Sequence, residues 1–214
     1  MSASGVPTVV ELVERLLAGP DPAAIVQAGH PVLRGPALPY DGQLDDEVLG
    51  ELLALMRRTM HAAPGVGLAA PQIGIPLAIA VVEDPGARDP EVRDLRERPP
   101  LPYRVLVNPR YVGVGDERAA FYEGCLSVSG WQAVVARHRT VRLTGQDESG
   151  RRLDEVVTGW PARIVQHETD HLAGTLYVDR AELRSLVSDA GIGAALAAEP
   201  APTTAARVLG FELG

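Results

Sequence analysis

Val165-Gln166-His167-Glu168-Thr169-Asp170-His171-Leu172 decides how this chain is read. Two histidines stand four residues apart, with a glutamate directly after the first. Residues four apart share one face of an α-helix, so both imidazoles can grip a single divalent ion. Glu168 lies about 100° further round the helix, within reach of a water on that ion. The flanks support a helix: Pro161 suits its first turn, and Gly174 is placed to end it in a left-handed conformation. Ile164, His167, His171 and Leu172 form one stripe, which should be buried. Buried imidazoles need partners, and a metal satisfies both at once. The alternative, a solvated helix with chance histidines, sits badly with such well-marked ends and only 5 histidines in the chain.

Two histidines hold a divalent ion loosely, and catalytic sites add a third protein ligand while keeping a position for water. Downstream of His171 the chain offers Asp179, Glu182 and Asp189 but no histidine. Upstream stands the only cysteine, in Tyr122-Glu123-Gly124-Cys125-Leu126-Ser127-Val128. A lone cysteine makes no internal disulfide, and its ordinary role is that of a small buried hydrophobe. Here Gly124 permits a tight backbone approach and the two-histidine site lacks a ligand, so thiolate ligation by Cys125 is expected.

The chain has 214 residues and a net charge of -8 with histidines neutral. That length allows one domain or at most two small ones. The acidic balance does not favour broad nucleic-acid binding. No apolar run approaches the ~20 residues of a membrane span. The start, Met1-Ser2-Ala3-Ser4-Gly5-Val6-Pro7, lacks the basic and apolar regions of a secretory signal, so a cytoplasmic location is expected.

Val9, Leu12, Val13, Leu16 and Leu17 predict a helix over 8–18, closed by Gly19-Pro20-Asp21-Pro22. A second helix is expected over 43–61. Strands are expected over 77–82, 104–108 (stopped by Pro109), 132–136, 140–144 and 151–157. Residues 84–103 read as a charged surface loop. After Arg180 a short helix is expected over 182–187, then a flexible Ala/Pro/Thr-rich stretch over 194–206. The expected class is α+β, with mixed or antiparallel sheets packed around a central metal-binding helix. The expected division is a helical extension over 1–22, a core over 23–182 and a partly flexible tail over 183–214.

Three segments resemble, in order and separation, the signature motifs of peptide deformylases: Gly65-Val66-Gly67-Leu68-Ala69-Ala70-Pro71-Gln72, Glu123-Gly124-Cys125-Leu126-Ser127, and Gln166-His167-Glu168-Thr169-Asp170-His171-Leu172-Ala173-Gly174. The likeness runs from about Ile25 to about Arg180. It implies hydrolysis of the N-formyl group from the initiator methionine of new polypeptides. It implies Cys125, His167 and His171 as metal ligands, Glu168 as general base and acid, and an oxyanion site from the Gln72 amide and the Leu126 N–H. It places Val66, Gly67, Phe121, Glu123, Gly124, Trp160, Arg163 and Ile164 along the substrate groove and its methionine pocket, although ordinary packing, or an Arg163–Glu123 ion pair, would explain several of them. Iron(II) is the implied physiological ion, with zinc, nickel or cobalt in purified protein. The implied partners are N-formylmethionyl peptides and, transiently, the ribosome; no specific nucleic acid and no membrane are implied. One departure stands at Ser129, where many relatives have proline, and it touches the rim of the site.

Three other readings compete. Gly65, Gly67 and Ala70 fit a dinucleotide-binding fingerprint, but a helical pattern precedes them and Pro71 would break the helix that fingerprint opens. A zinc endopeptidase shares the two-histidine helix but not Cys125 or the glycine-rich first motif. A non-catalytic metal-binding or ribosome-associated module needs neither Glu168 nor Gln72.

Overall fold

The computed structural model describes residues 7–213. The first helix, α1 (Val9–Leu17), opens on a reciprocal cap. The Glu11 N–H donates to Thr8 Oγ1 at 3.2 Å and the Thr8 N–H to Glu11 Oε2 at 2.8 Å, satisfying two otherwise orphaned donors. Its apolar stripe lies on α2 (Asp46–Ala62), with Val13 fully buried. The N-cap of α2 is Asp45, which accepts the Val48 N–H. Leu44, expected within this helix, packs into the core just ahead of it.

Two antiparallel sheets follow. The larger runs in the order β1 (Gly67–Ala69), β2 (Ile79–Asp84), β3 (Leu101–Gly113), β6 (Thr140–Gln146), β7 (Arg152–Thr158). The smaller holds β4 (Arg118–Cys125), β5 (Val128–His138) and β8 (Glu182–Ser188). Between them runs α4 (Gly159–Leu172), in contact with β1, β2, β3, β6 and β7 of one sheet and β5 of the other. Ile164, Val165 and Leu172 of α4 pack on Leu106 and Leu143 of the larger sheet. The α+β class and the central helix are as expected. Among the described residues, no helix is long and apolar enough to cross a membrane.

Four expectations are corrected. Pro109 does not stop its strand: β3 runs on to Gly113 through an irregularity between Val107 and Arg110. Asn108 takes φ 49° there, a conformation asparagine tolerates, and its amide is locked by Tyr40 at 2.8 and 2.7 Å. A proline at such a bulge removes no needed ladder donor. Residues 84–103 are not a plain loop, because Asp89 caps α3 (Pro90–Leu95) and β3 begins at Leu101. Residues 182–187 form a strand, not a helix. Ser185 and Val187 are buried while Leu183 and Leu186 are exposed, so the leucine spacing mimics a helix. The stretch 194–206, expected to lack regular structure, is largely helical: α5 (Gly191–Ala198) and α6 (Thr203–Leu209) lie on the smaller sheet. Leu196, Ala197, Ala205 and Phe211 pack there against Tyr122, Val134 and Val187. Alanine is the best helix former, and its small side chain permits this close seat.

Candidate metal centre and cleft

The centre is built from α4 and the end of β4. Gly174, at φ 76°, stops α4, and a β-carbon there would fall 2.8 Å from the Arg34 carbonyl oxygen. The register shift between Gly124 and Cys125 leaves the thiol at the end of β4. Cys125 Sγ lies 3.3 Å from His171 Nε2. One donor atom each from Cys125, His167 and His171 falls within 4.8 Å of the others. His167 Nδ1 is 3.0 Å from Glu123 Oε2, which leaves its Nε2 for the cluster. A soft thiolate with two imidazoles suits zinc, iron and related ions.

Glu168 is 4% exposed, and its Oε2 is buried without a hydrogen-bond partner. Burial pushes its carboxyl up to about 7, against the pull of His167 and Arg137. A dication in the neighbouring donor cluster would oppose that rise. An orphaned carboxylate oxygen beside three converging donors fits a resident metal with an open water position.

Gln72 sits in a tight 3₁₀ turn (Ala70–Ile73) after β1. Its Oε1 accepts the Ala69 N–H at 2.8 Å. That fixes the amide, so Nε2 points toward Cys125 Sγ at 3.6 Å and Ser127 Oγ at 3.3 Å. Leu126 follows the thiol on the same turn, its carbonyl accepting from Gln27 Nε2 at 3.0 Å.

Behind the centre lies a buried ion network. Arg137 is bidentate on Glu123 at 2.6 and 2.8 Å and reaches Asp170 at 2.7 Å. Arg163 also donates to Glu123, as its alternative structural reading anticipated. Burial opposes the charge on Glu123, yet Arg137, His167 and Arg163 hold its carboxyl well below the usual range. Asp170 receives Tyr111 Oη at 2.9 Å and Arg180 at 2.7 and 2.9 Å. Each carboxylate is thus neutralised by matched donors, which offsets much of the desolvation cost.

An open cleft of about 770 Å³ leads to Glu168, Cys125 and His167. Of the residues expected along it, Val66, Gly67, Glu123, Gly124, Trp160, Arg163 and Ile164 line it, as do Gln72 and Leu126. Phe121 does not; it stands behind Trp160, ring centroids 5.9 Å apart. His171 is 1% exposed and sits at the back of the centre. The sequence reading missed Arg137, Asp170, Arg96 and Trp131. Arg137 left a signal: it falls on the same strand face as the fully buried Ala133 and Val135, where a cation needs a carboxylate.

A two-histidine helix facing a cysteine, with a buried unpaired glutamate on an open cleft, is an arrangement able to hold a metal ion beside a base, as metal-dependent hydrolases do. The polypeptide deformylase family model matches residues 22–186, and the chain belongs to that family of metal-dependent hydrolases acting on formylmethionine peptides. Peptide deformylase 1 of Streptomyces coelicolor is 62% identical over 205 residues, covering 96% of this chain and 94% of the relative. Human mitochondrial peptide deformylase is 38% identical over 182 residues, covering 81% and 75%. The crystal structure of a class I type b peptide deformylase from Acinetobacter baumannii with Met-Ala-Ser bound superposes with a TM-score of 0.67. It has 34% identity and covers 74% of this chain and 97% of that one.

Proposed function

We propose that this chain removes the formyl group from the N-terminal formyl-methionine of newly made polypeptides, with Cys125, His167 and His171 holding iron(II). The observation that carries the reading is the unpartnered, buried Oε2 of Glu168 beside those three donors. When bound, the ion supplies Lewis acidity, lowering the pKa of water in its open position and polarising the formyl oxygen. Glu168 takes the proton of the attacking water on its carboxylate and hands it to the departing amine nitrogen. The Gln72 Nε2–H and the Leu126 N–H donate to the oxygen as negative charge develops there. Glu123 accepts the His167 Nδ1–H, fixing the tautomer that leaves Nε2 free to ligate.

The peptide lies extended between the Val66–Gly67 main chain and Gly124, where backbone pairing is indifferent to sequence. Its methionine side chain enters the pocket by Trp160, Arg163 and Ile164. We place the reaction in the cytoplasm, on chains leaving the ribosome and with transient ribosome contact. Met-Ala-Ser, bound in the Acinetobacter relative, is the product this reaction gives from formyl-Met-Ala-Ser. The test is to follow release of formate from formyl-Met-Ala-Ser, alongside the unformylated peptide. Formate release without peptide-bond cleavage supports the reading; cleavage of the unformylated peptide would make the chain an endopeptidase.

A further inference from the structure

The stretch matched by the family model stops at residue 186, and α5 and α6 come after it. Yet α5 reaches the cleft, where Ala197 lines the wall together with Arg96, Trp160 and Ile164. Arg96, just past α3, joins these parts. Its Nε donates to the Pro200 carbonyl at 2.9 Å and its Nη2 to the Glu199 carbonyl at 2.6 Å, the two carbonyls that follow α5. Its guanidinium carbon stands 5.3 Å from the centroid of the Trp160 ring and 5.6 Å from that of Phe121.

An arginine on a surface segment ordinarily sweeps through many rotamers. Here the planar fork is fixed at two carbonyls and held over two rings, so less freedom remains to it than to a lysine in the same place. No carboxylate pairs with Arg96 among the described residues; its only side-chain hydrogen bonds run to the C-terminal segment. The guanidinium is therefore a rigid part of the cleft wall, and its position depends on where α5 sits.

We propose that Arg96, held by the C-terminal helices, is a specificity-determining residue that closes the far end of the pocket taking the first side chain of the substrate. This rests on the deformylase reading of the site. Methionine is long, unbranched and flexible, and adapts to the apolar wall that Trp160 and Ile164 give the cleft. A ring-bearing first residue is wider and meets the guanidinium. One methylene more or less in an apolar pocket is worth about 10–200-fold, which sets the scale the experiment reads.

The experiment uses the full-length, metal-loaded chain, with Arg96→Ala and Arg96→Lys. The measurements are kcat and KM for formyl-Met-Ala-Ser and formyl-Phe-Ala-Ser, bound metal, and amide exchange over 191–199. In Arg96→Ala the Met-over-Phe preference in kcat/KM should fall by about tenfold or more. The change should come mainly through KM, with metal content retained and faster exchange in α5. Arg96→Lys keeps the charge but loses the fork, and should lose the preference too; it carries the test if the alanine variant does not fold. An unchanged preference in either folded variant overturns the proposal, as does lysine restoring it, which would make charge rather than the tie to α5 the cause. A wild-type chain that releases no formate would sink the functional reading itself. Formate release with an unmoved preference removes only this role of Arg96.

Discussion

A β-carbon placed on Gly67 would fall 2.2 Å from Oε1 of Glu168. The backbone of β1 thus presses directly on the candidate base, and only a glycine leaves room for that carboxylate. Because the clash is with the end of a flexible side chain, Gly67→Ala should fold and displace Glu168. A misplacement of about 1 Å costs on the order of 10²-fold in rate. We expect about that loss in kcat with metal content unchanged. Full activity in Gly67→Ala would show that the position of Glu168 does not matter.

Glu168→Ala should keep its metal and lose turnover. Glu168 neighbours the candidate ligand His167 without belonging to the donor cluster, and general acid–base catalysis contributes roughly 10²–10⁴-fold. Metal analysis and formate release on the same sample check it. Metal lost together with activity would assign Glu168 to ligation or structure instead.

Gln72→Leu should lower kcat by roughly 10²–10³-fold, the worth of one oxyanion donor, with KM changed far less. The substitution also strips the Ala69 N–H of its acceptor, so a thermal melt should accompany the kinetics. An unchanged kcat would take Gln72 out of the mechanism.

Deleting residues 1–22 should leave deformylation largely intact at low temperature and lower the melting temperature. No residue of α1 lines the cleft, but Val13, Leu12, Leu16 and Leu17 are packed against the core. Losing that contact exposes the matching face of α2. A truncated chain that folds but cannot turn over would show that the extension helps shape the site.

The iron(II)-loaded protein should lose activity in air, while nickel- or cobalt-loaded protein should hold it. A thiolate beside iron(II) and an open coordination position is exposed to oxygen and climbs the cysteine oxidation ladder. Anaerobic loading of the apo-protein, then turnover before and after air, decides it. A zinc form that is fastest, with an iron form equally durable in air, would make iron the wrong ion for this chain.

The two-histidine helix was legible because its signals are local. The i, i+4 histidines, Pro161 and Gly174 all fall within one short segment, and α4 spans Gly159–Leu172 as they require. The convergence of Cys125 on the two histidines was legible by chemistry, since a two-histidine site asks for a third donor. What stayed hidden depends on distant partners. Arg137 gains its place from Glu123 and Asp170, residues 14 and 33 positions away. β8 exists because β5 offers it an edge, and its outward leucines gave the wrong period. The alanine-rich end looked too weakly apolar to order itself, yet the outer face of the smaller sheet supplies what α5 and α6 lack.

The three donors of the centre do not come from one layer of the molecule. Cys125 ends a strand of the smaller sheet, whereas His167 and His171 ride on a helix whose apolar face belongs mainly to the larger one. An ion held by all three is thus a rivet through the seam between the two halves. Binding energy at that point adds to folding energy, so chelation should loosen the seam as well as stop the chemistry, and the smaller sheet with its helical cap should be the first part to come away.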